Sequence, residues 1–349
     1  MKEGKDMLEF KDLKELVKIV SNADSKKEYS YGGQNLSYTD LNNTLRDEMN
    51  ALAGNYNLYR ENKNKVFALI ETAIDEVLPR KVIEAYGQFA EIKTFAQGDK
   101  PIFVRKVTAA ARKRAKQFIT RVGLAGVYEV FKLDGKTFEV PTAAFGGAAQ
   151  IGFEEFLDGR ADWNELTNIV MEGLNDALYT EIRTALEGIV GNLPGYQYAT
   201  VAGAGSVQAA MDSVLAHMDA IAPSTIYCTL PFAATLIPDA GWINQDMMRE
   251  RWTNGYLGSY KGHAVVVLPQ SYDIEGTTAN RVFKNSLCYI IAGNDKPVKV
   301  AFEGETHVRE AEREDWSREI QVYRKMGVAV TTYDTIGVVE NTALDALPY

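Results

Sequence analysis

The chain has 349 residues, a hydrophobic fraction of 46%, a charged fraction of 24% and a formal net charge of −9. That length can bury a sizeable core and predicts two or three lobes, while the acidic balance argues against a protein that grips nucleic acid over its whole surface. No apolar run approaches a membrane span, the charged start MKEGKDMLEFKDLKEL lacks the apolar segment of a signal peptide, and Cys228 and Cys288 read as reduced core thiols rather than a disulfide or metal site.

Residues 1–60 read as helices joined by a polar link. LEFKDLKELVKIV is amphipathic, SNADSKKEYSYGGQN is loop-like, and TDLNNTLRDEMNALAG resumes helical spacing. This helical arm carries little apolar content of its own and is expected to pack on another lobe or another chain. KVFALIETAIDEVL continues as helix and is expected to end at Pro79. Between about residues 90 and 150 the character changes to short β-branched and aromatic runs: EIKTF, PIFVRKV, QFITRV, VYEVFKL and KTFEVPT. Asp134-Gly135 between two of them is a hairpin signal. The insertion lacks the residues for a core and reads as a projecting arm.

Asp162 and Glu165 form a candidate capping box. After it, Leu166, Ile169, Val170, Leu174, Ala177, Leu178, Ile182, Ala185, Leu186 and Ile189 recur at helical spacing until Gly191 and Pro194 supply the stop. The pattern predicts a helix of about 28 residues, roughly 42 Å long at 1.5 Å per residue. Residues 195–300 mix the amphipathic helix SVQAAMDSVLAHMDAI with strands TIYCTL, HAVVVLP, SLCYIIAG and PVKVAFE, and read as a compact α/β lobe. REIQVYRKMGVAVTTYDTIGVVE then alternates as two strands with Gly327 near their junction.

Candidate chemistry is sparse. TNGYLGSYKGHAVVVLPQ sets Gly255, Gly258 and Gly262 ahead of an apolar run. A dinucleotide fingerprint needs its glycines after a strand and opening a helix; here they precede a strand, so they are assigned to tight bends. Gly262→Val is accordingly expected to abolish soluble folded protein. His217, His263 and His307 have no partner at metal-ligand spacing. Neither G-x-S-x-G nor H-E-x-x-H occurs, and the adjacent Glu154 and Glu155 read as a solvated approach rather than an acid/base pair. No catalytic, cofactor or metal site is expected.

Charge placement is more informative. Arg105, Lys106, Arg112, Lys113, Arg114 and Lys116 put six positive charges within twelve residues, with no acid among them. Glu303, Glu305, Glu310, Glu312, Glu314, Asp315 and Glu319 form an acidic stretch relieved by Arg309, Arg313 and Arg318. These are either two unrelated solvated faces or a projecting basic arm lying across an acidic strip of a neighbouring copy; the aromatic interleaving needed for nucleic-acid stacking is missing. Each exposed pair contributes only about 0–1 kcal/mol, which suits an assembly from which wrongly placed subunits can leave.

Four segments carry a family likeness: FGGAAQIGFEEFLDGRADWNELTNIVMEGL, GYLGSYKGHAVVVLPQ, CYIIAGNDKPVKVAFEG and EDWSREIQVYRKMGVAV. In this order, over roughly residues 60–340, they resemble the major capsid protein of tailed bacteriophages, the Hong Kong 97-type shell fold. The resemblance implies an α+β fold made of an N-terminal helical arm (1–60), a helical lead-in to the peripheral (P) domain (61–92), an extended β-hairpin E-loop (93–150), the P domain with its spine helix (151–196), an axial (A) domain (197–300), and P-domain return strands with a C-terminal tail (301–349). It implies self-assembly through pentamers and hexamers into an icosahedral shell that encloses double-stranded DNA without sequence-specific binding. Implied partners are a scaffolding protein, a portal and decoration proteins, with no membrane; the implied location is the virion, after synthesis in the host bacterial cytoplasm. Only about 60 residues precede the matching region, so a separate scaffolding protein is expected. Lys132 and Lys136 flank the Asp-Gly turn, but covalent crosslinking is not expected from them. An encapsulin-type nanocompartment shell shares the fold and is the alternative, against which the N-terminal helices weigh; an α/β enzyme is a further one.

Overall fold

A computed structural model of the chain describes residues 9–24, 26–105, 136–149, 163–202, 204–237, 244–270, 272–275, 278–281, 283–293, 296–312, 318–330 and 335–345. The N-terminal helices follow from apolar spacing. α1 (Phe10–Asn22) turns Leu13, Leu16, Val17 and Val20 inward at i, i+3, i+4 and i+7. α2 (Tyr38–Ala53) is opened by a capping box between Ser37 and Asp40 and buries Leu41, Leu45, Met49 and Leu52. Both pack on α3 (Tyr56–Tyr86) in one continuous core. The expected apolar-poor arm is therefore part of the body of its own chain: each fully buried Leu, Val or Met contributes about 1.5–3 kcal/mol, and α1 and α2 supply eight of them. The polar link between them holds a hairpin, β1 (Glu28–Tyr31) with β2 (Gln34–Ser37), turned by Gly32 and Gly33 at φ 59° and 80°.

α3 does not end at Pro79 but runs through it to Tyr86. Proline removes one backbone donor and costs helix stability, yet Val82 and Tyr86 beyond it are fully buried. Tertiary packing overrides the local break.

Two sheets organise the rest. The first has the order β3 (Ala90–Phe95), β14 (Val298–Glu312), β15 (Arg318–Val330), β6 (Ala143–Ala149). β14 and β15 form a long antiparallel hairpin, with β3 parallel to β14 and β6 antiparallel to β15. Strand alternation assigns its two faces. Val298, Val300, Phe302, Val322 and Met326 join the helical core, against α3 and α4 (Trp163–Val190), the long helix whose 28 residues match the expected span. Ala301 and Ala329 face the other way, toward a small cluster with Phe95, Phe103, Phe138 and Val140. Asp162 and Glu165, the expected capping box, lie outside the described residues and side chains.

The second sheet has six strands: β7 (Tyr198–Val201), β16 (Ile336–Asn341), β13 (Leu287–Ala292), β8 (Ser224–Cys228), β10 (His263–Val267), β9 (Ser259–Tyr260). β13 is buried along its whole length. Its Leu287, Tyr289 and Ile291 join the helical core, while Cys288, Ile290 and Ala292 pack with α5 (Ala204–Ile221) in a second core. One strand thus walls two cores, which requires apolar residues on both faces. Cys288 stands opposite Cys228 in the register, and both thiols are free and buried. β16 shows that the closing segment divides between the sheets rather than staying with β14 and β15. Two short helices, α6 (Leu230–Ala233) and α7 (Gln245–Asn254), lie between β8 and β9, and β11 (Tyr272–Glu275) pairs with β12 (Thr278–Arg281) beyond β10.

Glycine positions can be separated by what surrounds them. Gly255 caps α7 in the left-handed region at φ 82°, and Gly262 (φ 91°) follows Lys261 (φ 48°) in the two-residue turn joining β9 to β10. Gly258 is different: a Cβ there would sit 3.0 Å from the Glu250 carboxylate, which accepts the Gly258 N–H. Gly327 lies inside β15, opposite Ala301, not at a strand junction. A Cβ there would meet the Pro141 carbonyl oxygen at 2.1 Å, whereas nothing lies within 4 Å of one on Gly262. Gly327→Ala is therefore expected to cost about 2–3 kcal/mol through overpacking, and Gly262→Ala about 1–2 kcal/mol of backbone strain, read as shifts in urea unfolding midpoints. Gly262 substitutions are expected to strain an open turn.

Candidate functional site

The expected projection has a root that the structure describes. After β3, a turn at Gly98 (φ 86°) leads to β4 (Ile102–Arg105), which pairs antiparallel with β5 (Lys136–Glu139) before the chain re-enters the sheet as β6. Phe103 and Val140 are fully buried on Ala301. Phe103 meets Phe95 edge-on at 5.6 Å, and the Lys93 ammonium lies 5.0 Å from the Phe103 ring centre. The root is thus seated on the sheet face opposite the helices.

Glu303 ties this root together. Thr142 Oγ1 donates to its Oε2 at 2.5 Å, the Gly98 N–H to its Oε1 at 3.4 Å, and Lys325 Nζ to Oε1 at 3.3 Å. Gly98 belongs to the outgoing leg, Thr142 to the returning leg and Lys325 to β15, so one carboxylate joins all three. The Thr142 bond, with Lys325, holds its carboxyl below the usual carboxylate range. Beside it, Lys299 is 2% exposed and reaches Glu91 on β3 at 2.5 Å; burial pushes the Glu91 carboxyl up, and Lys299 with Lys93 outweighs it, leaving a net fall.

The opposite face is locked by Arg324, 1% exposed. Its Nη1 pairs with Asp75 Oδ1 at 2.5 Å and donates to Thr306 Oγ1 at 3.3 Å, and its guanidinium lies 4.9 Å from the Phe302 ring centre. Asp75 also accepts from the Thr306 N–H and hydroxyl at 3.1 and 2.6 Å, and Glu71, one helical turn earlier, accepts from the Val308 N–H at 2.8 Å. Two carboxylates of α3 therefore serve backbone donors of β14 at its irregularity between Glu303 and His307.

The charge stretches fare differently. Arg105 ends β4 opposite Lys136; Lys106, Arg112, Lys113, Arg114 and Lys116 lie outside the described residues. Glu303, expected in a surface strip, is 9% exposed and committed within its own chain. Glu305 is exposed, Glu310 and Glu312 occupy register positions opposite Ile320 and Arg318, and Glu314 lies outside the described residues. Sequence reasoning missed Asp75 and Arg324; the available signal was a carboxylate among the apolar spacing of Ala73, Ile74, Val77 and Leu78.

His263 is not isolated in space. Its Nε2 lies 3.1 Å from Asp219 Oδ2, and Nδ1 lies 3.2 Å from both the Ser224 carbonyl and hydroxyl. The Ser224 hydroxyl donates to Asp219 at 2.7 Å, so its proton points at the carboxylate, not at the His263 imidazole. That is a strand-end polar knot rather than an activated nucleophile. Among the described residues no group of three or more His, Cys, Asp or Glu could hold a metal ion, and no helix is long and apolar enough to cross a membrane.

Against known proteins, the sequence profile of the family described as "SPbeta prophage-derived putative capsid protein YonB" matches residues 11–340. No curated protein matches the chain in sequence. Among solved structures, a phage-related protein from Bordetella bronchiseptica RB50 superposes with a TM-score of 0.48 at 12% identity, covering 80% of this chain and 97% of that one. The mature capsid of bacteriophage PhiM1 gives 0.48 at 8%, covering 74% and 86%. The SrpI encapsulin of Synechococcus elongatus PCC 7942 gives 0.39 at 12%, covering 71% and 84%. The family assignment rests on the sequence match.

Asp75 and its neighbour Glu76 provide a contrast. Asp75→Ala would strand a buried guanidinium and is expected to cost about 3–5 kcal/mol; Glu76→Ala, which loses a half-exposed contact to Lys18 at 3.7 Å, should cost less than about 1 kcal/mol in urea denaturation. For Glu303 the sign follows from its lowered pKa: its ties are fully present above the unfolded glutamate value of about 4.3 and are lost as pH falls through the lower folded value. Thermal melts should show Glu303→Gln less stable at pH 7 but losing less stability than the parent between pH 5 and about pH 3.

Proposed function

The chain belongs to the YonB capsid protein family, and from that premise we propose that it is the major head protein of a tailed phage, closing through pentamers and hexamers into an icosahedral shell around double-stranded DNA. It is a structural protein, its copies assemble into a capsid shell, and its place is the virion. The observation that carries the reading is the family match across residues 11–340. Supporting it is a body whose β4–β5 ribbon leaves the sheet from a packed root.

In this reading residues 93–150 form the loop that overlaps an adjacent subunit, 162–190 the spine helix of the P domain, and most of 197–300 the A domain. The basic block Arg105, Lys106, Arg112, Lys113, Arg114 and Lys116 lies across the acidic stretch of a neighbour, through Glu305, Glu310, Glu312 and Glu314, Glu303 being spent on its own root. The net charge of −9 suits a wall that does not hold DNA tightly. A scaffolding protein, a portal and decoration proteins complete the particle, made in the host bacterial cytoplasm.

Reversing Arg112, Lys113 and Arg114 to Glu is expected to block assembly while leaving circular dichroism and melting unchanged. Compensating reversal of Glu310, Glu312 and Glu314 to Lys should partly restore it, as seen by sedimentation and electron microscopy. Normal assembly of the first variant at low salt would dismiss the charge contact. Particles purified from infected cells with protein cargo and no DNA would favour the encapsulin-type reading.

A further inference from the structure

Helix α7 buries none of its residues, yet it carries two large apolar side chains on one face. Trp252 is 92% exposed and Met248, four residues earlier, is 59% exposed. Residues at i and i+4 are neighbours on a helix surface, so the two make one continuous apolar patch. A tryptophan held almost wholly in water on a well-capped helix is a large unspent hydrophobic surface, since burying such a ring removes about 150–250 Å² from water. The helix is closed at both ends all the same. Asn244 Oδ1 accepts the Met247 N–H at 2.8 Å, Gly255 closes the other end, and Glu250 holds the Gly258 N–H at 3.0 Å. These bonds lie within the helix and the loop after it, and they leave the apolar face free.

The same lobe presents a cleft of about 120 Å³, lined by Val207, Gln208, Thr235, Leu236, Ile237 and Tyr260. The lining is mostly apolar, with Gln208 and Thr235 its polar members and a carboxylate at its rim. There the Tyr260 hydroxyl donates to Asp212 at 3.2 Å, and the Asp212 carboxylate, 43% exposed, also meets Lys261 at 2.5 Å. Arg249 and Arg251 flank Trp252 along α7, and both are exposed. An apolar knob flanked by cations and an apolar cleft rimmed by a carboxylate are complementary in both polarity and charge.

We propose that Trp252 of one copy seats in the Val207–Leu236–Ile237–Tyr260 cleft of the next copy, with Arg249 or Arg251 reaching Asp212. The occupant is a second copy of this chain because knob and cleft lie on one lobe of a chain whose copies assemble, and a contact between two different patches is heterologous. Such contacts close into rings when the rotation between copies allows it. The seat therefore belongs to the ring of lobes around a symmetry axis, and Trp252 is its energetic centre. The inference rests on the shell reading.

Two measurements test it. The paired variant Trp252→Cys with Gln208→Cys, treated with a short bis-maleimide after assembly, should give a ladder of linked subunits ending at five and six; either single variant should give none, because Cys228 and Cys288 are fully buried. Trp252→Ala should raise the protein concentration needed for assembly at least about tenfold, with an unchanged melting curve for the unassembled subunit. Arg249→Glu with Arg251→Glu should weaken assembly, and added Asp212→Arg should recover part of the loss. Shells that form normally while the paired variant gives no ladder would overturn the inference alone. The same holds if the cysteine at 252 links only to another protein or only within its own chain. Absence of any shell from the parent protein would instead overturn the reading beneath it.

Discussion

A single buried cation fixes the relation between the helices and the sheet. Arg324 projects from β15 into the helical core and has its charge met by Asp75 of α3, which also takes both donors of Thr306 on β14. A guanidinium in that position without its carboxylate would be intolerable, so the register of the helix on the hairpin is constrained far more narrowly than by apolar contacts alone. Glu71, a turn away, accepts from Val308 and extends the hold along the strand. Hydrophobic burial supplies the drive to pack α3 on the sheet; the carboxylates select where it packs.

From that fixed sheet the working parts are carried outward in two directions. The face away from the helices seats the root of the β4–β5 ribbon through Phe103 and Val140 and gathers its two legs on Glu303. The second sheet shares the helical core through Leu287, Tyr289 and Ile291 of β13 while its reverse side forms a separate core with α5. Both outward parts are thus anchored by strands buried on two faces. Among the described residues, the N-terminal helices pack on α3 of their own chain.

Much of the architecture was legible in the sequence, because it is written in periodicity. The span of α4, the strands PVKVAFE and SLCYIIAG and the helix SVQAAMDSVLAHMDAI all appear where spacing places them. Three features were not. α3 continues through Pro79 because burial of Val82 and Tyr86 outweighs a local break, a tertiary effect that no window of sequence reports. α1 and α2 looked poor in apolar residues, yet Leu13, Leu16, Leu41 and Leu45 form one narrow stripe on each helix that suffices against α3. The acidic stretch looked uniform, whereas strand alternation turns Glu303 toward Thr142 and Lys325 and leaves Glu305 in solvent. Trp252 gave no signal at all, since an exposed tryptophan and a core tryptophan are the same letter.

On these contacts the body is packed before copies meet. Hydrogen–deuterium exchange on dissociated subunits and on assembled shells tests it directly, read at the amides of Thr306 and Val308 and along the β14–β15 pairing. These amides should exchange among the slowest in the chain and at the same rate in both states, because Asp75 and Glu71 already hold them in the single subunit. Rapid exchange there in the free subunit, with protection gained only on assembly, would contradict it.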